Sequence, residues 1–96
     1  MQIIKGEAAQ LLIRRGALAI SFHTFEELHK SSDYVVTFYY GRNDLYALSI
    51  EYKNSDSVII FGTRQEIELF IKDLLAQFIP DYIRLVLDKY YALTVS

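Results

Sequence analysis

A chain of 96 residues is long enough for one hydrophobic core and too short for a second domain. Hydrophobic residues make up 52% of the chain and charged residues 23%, a balance that is typical of folded proteins and excludes disorder. The net charge of −2 excludes a basic field that gathers nucleic acid, and the absence of cysteine excludes disulfides, thiolate nucleophiles and cysteine-ligated metals.

The first third of the chain has the patterns of a helix, a strand and a second short helix. Apolar residues on one face predict a helix over residues 7–15. Alternation of large and small residues then predicts a strand over residues 17–22. Thr24 and Glu27 have the spacing of a capping box, which predicts a short helix that ends near Lys30.

Three β-rich segments follow, separated by turn residues. They cover residues 34–40, 45–53 and 57–61, and residues 41–44 have the composition of a hairpin turn. The middle segment alternates between apolar and polar positions, as a half-buried strand does. We therefore predict a meander of three antiparallel strands.

The C-terminal third has the pattern of two helices. Thr63 and Glu66 form a second capping box, and apolar residues follow at helical spacing until Pro80 stops the helix. Asp81 is placed to cap a final helix. The whole chain, residues 1–96, is predicted to be one α+β domain: about four mainly antiparallel strands packed against the long helix, with an N-terminal helix and a final C-terminal helix.

Residues 1–7 lack the charged leader and long apolar run of a signal peptide. No window approaches the roughly 18 apolar residues of a membrane span. We therefore expect a cytoplasmic protein that does not associate with membranes.

Catalytic and metal-binding motifs are not visible in the sequence. His23 and His29 have neither the helical nor the zinc-finger spacing of ligand pairs, and three nearby carboxylates would have to complete a site. The serines lack a nucleophile elbow, and only Gly62 precedes the long helix where a phosphate-binding loop needs several glycines. We predict that the protein is not an enzyme and binds no metal or cofactor. A catalytic triad assembled from distant residues would not show in the sequence, because its geometry and not its spacing defines it.

The aromatic content points to an interaction surface. Eight tyrosines are present, and both faces of the segment 34–40 are apolar or aromatic. Either the short helices cover the second face, or a partner does. Our leading hypothesis is a non-enzymatic protein-interaction module, an adaptor, inhibitor or regulatory subunit, that forms a homodimer. The residues assigned to its interaction surface are Tyr39, Tyr40, Tyr46, Tyr52, Leu85 and Tyr91.

The alternative hypothesis is a small domain that binds a nucleic acid or another anionic ligand. Arg14, Arg15 and Arg42, with neighbouring tyrosines, would supply the site. The negative net charge and the missing RNA-recognition signature disfavour nucleic acid.

Overall fold

The computed structural model describes residues 1–53 and 56–77, the last five of them through their backbone. This part of the chain forms five strands and three helices. In chain order they are β1 Gln2–Lys5, α1 Glu7–Arg14, α2 Ala17–Phe22, β2 Thr24–Lys30, β3 Tyr34–Tyr40, β4 Tyr46–Tyr52, β5 Val58–Gly62 and α3 Arg64–Gln77. The predicted α+β class is confirmed, and the predicted C-terminal helix lies outside the described residues.

All five strands form one sheet, in the order β1-β5-β4-β3-β2, and every neighbouring pair is antiparallel. The meander predicted over β3, β4 and β5 is present. Within the described residues the sheet has five strands, one more than predicted, and neither β1 nor β2 is among the predicted strands. β1 pairs with β5, and Ile3 lies opposite Ile60. Four residues are too few to show a periodic pattern.

The first face of the sheet, which carries Leu48, Ile50 and Ile60, is covered by α3. Ile67 and Phe70 of this helix are fully buried against those strand residues. The predicted capping box at its start is present: the Thr63 amide donates to Glu66 Oε1 at 2.9 Å, and the Glu66 amide donates to Thr63 Oγ1 at 3.2 Å.

The second face of the sheet, which carries Tyr39, Ala47 and Ile59, is covered by α1 and α2. Ala9 of α1 and Leu18 of α2 are buried in the cluster that these strand residues form. The chain therefore supplies its own cover for both faces of β3, as one of the two sequence interpretations proposed. The sheet lies between two helical layers.

Two local predictions are wrong. Residues 17–22 form the helix α2 and not a strand, and residues 24–30 form the strand β2 and not a helix. In α2 the alternating large residues do not share a face, since Leu18 is buried and Ile20 is 69% exposed. Residues 24–30 pair along β3, whose backbone amides and carbonyls would otherwise be left unpaired on that side.

Candidate functional site

An open cavity of about 620 Å³ lies on the second face of the sheet. It lies where α1, α2, the β3–β4 turn and β5 meet. Its volume falls within the roughly 300–1,000 Å³ of small-molecule sites. The described residues that line it, hereafter the cavity residues, are Leu12, Ala17, Leu18, Ser21, Phe22, His23, Gly41, Arg42, Leu45 and Phe61.

The path of α2 creates this cavity. Gly16 separates the two helices in a left-handed conformation (φ 71°), which glycine adopts without steric cost. At the other end of α2, His23 is also left-handed (φ 65°), and its amide donates to the Ala19 carbonyl. The chain thus changes direction sharply before and after a helix of only six residues, so α2 diverges from α1 and leaves space beside it.

The walls of the cavity are apolar. Leu12 comes from α1, Leu18 and Phe22 from α2, and Phe61 from β5. The rings of Phe22 and Phe61 are stacked with their centroids 6.4 Å apart. Leu12, Phe22 and Phe61 are only half-buried, because part of their surface faces this space. Such walls favour the apolar part of a ligand.

Polar groups are few among the cavity residues, and each of them can donate a hydrogen bond. The lining residues with polar side chains are Ser21, His23 and Arg42, all of them exposed. No carboxylate is found among the described cavity residues. The polar part of this site is therefore suited to an acceptor and, through Arg42, to a negative charge.

The β3–β4 turn brings Arg42 to this position. A Cβ at Gly41 would overlap the Leu45 carbonyl oxygen and would lie 3.0 Å from Cδ1 of Phe22, so the turn can fold back over α2 only with glycine here. Asn43 and Asp44 are both left-handed, with φ of 56° and 58°. Asparagine and aspartate tolerate this conformation better than most residues, so the sequence of the turn suits its shape.

The tyrosines assigned to an interaction surface do not form one exposed surface. Tyr39 lies on the second face, and Tyr40, Tyr46 and Tyr52 lie on the first. Tyr39 and Tyr52 are each 7% exposed. The Tyr40 hydroxyl donates to Glu26 Oε2 at 2.7 Å, and this hydrogen bond raises the pKa of the phenol above its ordinary value. Leu85 and Tyr91 lie outside the described residues.

The three arginines of the alternative hypothesis are not brought to one site. Arg42 borders the cavity, whereas Arg14 lines a separate space of about 260 Å³ together with Glu51 and Lys53. Arg14 Nε lies 3.8 Å from Glu51 Oε2, so its charge is partly balanced. Arg15 is exposed at the end of α1 and is not among the residues lining either space.

The two histidines are also separated. His23 borders the cavity, whereas the His29 ring packs 5.2 Å from that of Tyr34. Within the described residues, no three histidine, aspartate or glutamate side chains are grouped closely enough to hold a metal ion. In the same part of the chain, no helix is long and apolar enough to cross a membrane.

No family model, curated protein or solved structure matches this chain. The cavity is therefore the feature from which a function can be argued. Sequence reasoning missed it, because Leu12, Phe22 and Phe61 look like ordinary core positions. Only the relative placement of two helices and a turn reveals that they border open space.

Proposed function

We propose that the protein is a non-enzymatic binding module that holds a small, largely apolar ligand in the cavity between α1, α2 and the β3–β4 turn. The cavity itself, about 620 Å³ with apolar walls, is the observation that supports this function. Protein interiors are close-packed, and voids larger than a water molecule are few. The apolar side chains that border an open space of this size lack packing contacts on that side, and a ligand can supply them.

The surroundings of the cavity also suit reversible binding. The sheet below it is well packed, since β5 is paired on both sides and Ile59 is fully buried. The cover is the short helix α2, which is attached through left-handed residues at both ends. A ligand can therefore enter beside α2 and the turn without disrupting the sheet.

Binding of the neutral fluorescent amine N-phenyl-1-naphthylamine tests this function. We expect a saturable rise in fluorescence at one probe per chain. Ala17 is half-buried and borders the cavity, so the larger side chain of Ala17→Phe should fill part of it. We expect binding to weaken about tenfold, which corresponds to the burial of one or two fewer methylene groups of the probe. Ala8→Phe is the matched control, because Ala8 also lies in the first turn of a short helix but is exposed and does not border the cavity.

A protein that gives no saturable signal contradicts the proposed function. If the wild type, Ala17→Phe and Ala8→Phe bind the probe with equal affinity, the probe binds outside the cavity, and this result also contradicts the proposed function. Circular dichroism of both variants establishes that each is folded before its affinity is compared.

Self-association is a second candidate function, favoured by exposed hydrophobic side chains. Of the five large ones in the described part of the chain, four lie on or beside the α1–α2 layer: Leu11, Ile20, Phe25 and Leu45, each 49–69% exposed. The fifth, Leu69, lies on α3 and is 56% exposed. Exposed apolar surface on one side of a protein is a feature of interaction sites. We propose that two copies pair through the α1–α2 side.

The β2 edge of the sheet is less suited to pairing than the α1–α2 side. The edge strand β2 carries Glu26, Glu27 and Lys30 and has a register shift after Glu27, and both features oppose the addition of another strand. Light scattering of Ile20→Glu tests the assignment. A monomeric Ile20→Glu beside a dimeric Leu69→Glu supports it. A wild-type protein that is monomeric at tens of micromolar, or a dimer that only Leu69→Glu disrupts, contradicts it.

A further inference from the structure

We infer that the ligand of the cavity is an amphipathic anion, a molecule with an apolar body and one carboxylate or phosphate head that binds Arg42. This inference rests on the proposed function and adds the chemical class of the ligand. It follows from three observations on the described residues: the division of the cavity into apolar walls and a polar border, the composition of that border, and the electrostatic surroundings of Arg42.

The division of the cavity requires a ligand with two chemically different parts. Leu12, Leu18, Phe22 and Phe61 form its walls, and a fully polar molecule would lose its hydration there without compensation. The polar side chains are on exposed residues at the border. The apolar body of a ligand therefore lies inside, and its head lies at the border near the β3–β4 turn.

The composition of the border selects the sign of the head group. Ser21, His23 and Arg42 all offer hydrogen-bond donors, and no carboxylate is found among the described cavity residues. An ammonium head would face a guanidinium without a counter-charge. A carboxylate or phosphate can instead accept two parallel hydrogen bonds from the planar guanidinium.

The charge of Arg42 is available to a ligand. Arg14 is paired with Glu51 and Arg64 with Glu68, but in the described part of the chain Arg42 has no ion-pair partner.

The nearest carboxylate along the chain, that of Asp44, is engaged elsewhere. Its Oδ1 accepts a hydrogen bond from the Arg64 amide at 3.2 Å, at the start of α3. The Asp44 carboxylate of the turn thus lies at the start of α3, whereas Arg42 of the same turn lies at the cavity.

Calorimetric titrations with four probes of one chain length test the inference: decanoate, decyl phosphate, decanol and decylammonium. They are run below the micelle-forming concentration of each charged probe and below the solubility limit of decanol. We expect decanoate, decyl phosphate or both to bind at one per chain, at least about tenfold more tightly than decanol and decylammonium, as a charge-assisted hydrogen bond allows. Arg42→Gln should remove that preference by weakening the binding of the anions far more than that of decanol.

Arg14→Gln is the matched control, because it removes the same charge from the border of a different cavity. Equal losses in Arg42→Gln and Arg14→Gln would mean that the anion responds to overall charge, and this overturns the inference. Equal affinities of the wild type for decanoate, decyl phosphate and decanol also overturn it, while the proposed function stands. No binding of any probe refutes both. Repeating the titrations on Ile20→Glu, which we expect to be monomeric, shows whether anion binding depends on self-association.

Discussion

The most informative single substitution is Tyr39→Glu, because it tests whether α2 covers the second face of the sheet. Tyr39 is 7% exposed, and its ring lies 6.0 Å from that of Phe22 and 5.8 Å from that of Phe25. Removing a buried aromatic ring of this kind costs about 3–5 kcal/mol. Placing a carboxylate in the same apolar surroundings adds to that cost.

The total is a large fraction of the roughly 5–15 kcal/mol that stabilises a typical domain, so Tyr39→Glu should lose about 4 kcal/mol or more, or be largely unfolded. Urea unfolding followed by circular dichroism measures the loss. Tyr39→Phe is the control: it keeps the ring and removes only the hydroxyl that accepts a hydrogen bond of 3.5 Å from Ser49, so it should cost less than about 1 kcal/mol. A Tyr39→Glu protein within about 1 kcal/mol of the wild type would show that this side chain lies on an open surface and that the described α2 packing is incorrect.

Three further predictions concern the turn and the start of α3. Gly41→Ala should destabilise the protein by about 1–3 kcal/mol, because its methyl group would overlap the Leu45 carbonyl oxygen; an unchanged urea midpoint refutes the turn geometry. Thr63→Ala should cost about 1 kcal/mol through loss of the capping hydrogen bond, and no loss would mean that the capping box contributes nothing. The pKa of Glu66 is lowered, chiefly because the Thr63 backbone amide donates to its carboxylate, so the ionised form stabilises the fold above the unfolded-state pKa. This stabilisation is lost as the pH falls through the folded-state pKa; the stability difference between the wild type and Glu66→Gln should therefore shrink under acid, and a pH-independent difference contradicts this assignment.

The elements predicted correctly are those whose signals are local and unambiguous. The β3–β4–β5 meander has alternating apolar residues and a turn with strong turn formers between its first two strands. The start of α3 has a capping box whose two hydrogen bonds are both present. In these segments, local propensity and tertiary packing favour the same conformation, and a single sequence then suffices.

The mistaken elements are short segments whose local patterns fit two conformations. Leu18, Ile20 and Phe22 alternate as in a strand, but tertiary contacts bury Leu18 and leave Ile20 exposed on a helix. Thr24 and Glu27 have capping-box spacing, but β3 needs a partner along its outer edge, and pairing with residues 24–30 supplies it. Tertiary packing overrides weak propensities in segments of six or seven residues.

Of the cavity residues, the sequence points to Arg42 as a candidate for binding an anionic ligand, because it is a basic residue close to tyrosines. Its separation from Arg14, and its position at the border of an apolar cavity, depend on where α2 lies relative to the β3–β4 turn. No pattern of spacing in the sequence encodes that relation.

Amide NMR spectra recorded during separate titrations with decanoate and with decyl phosphate test the claim that the cavity beside α2 is a binding site. We expect saturable shifts of the amide signals of the cavity residues, with the largest shifts in α2 and residues 41–45. Signals from the exposed side of α3, such as Leu69, should stay in place. Shifts centred on α3, or no saturable shift at all, would contradict the claim.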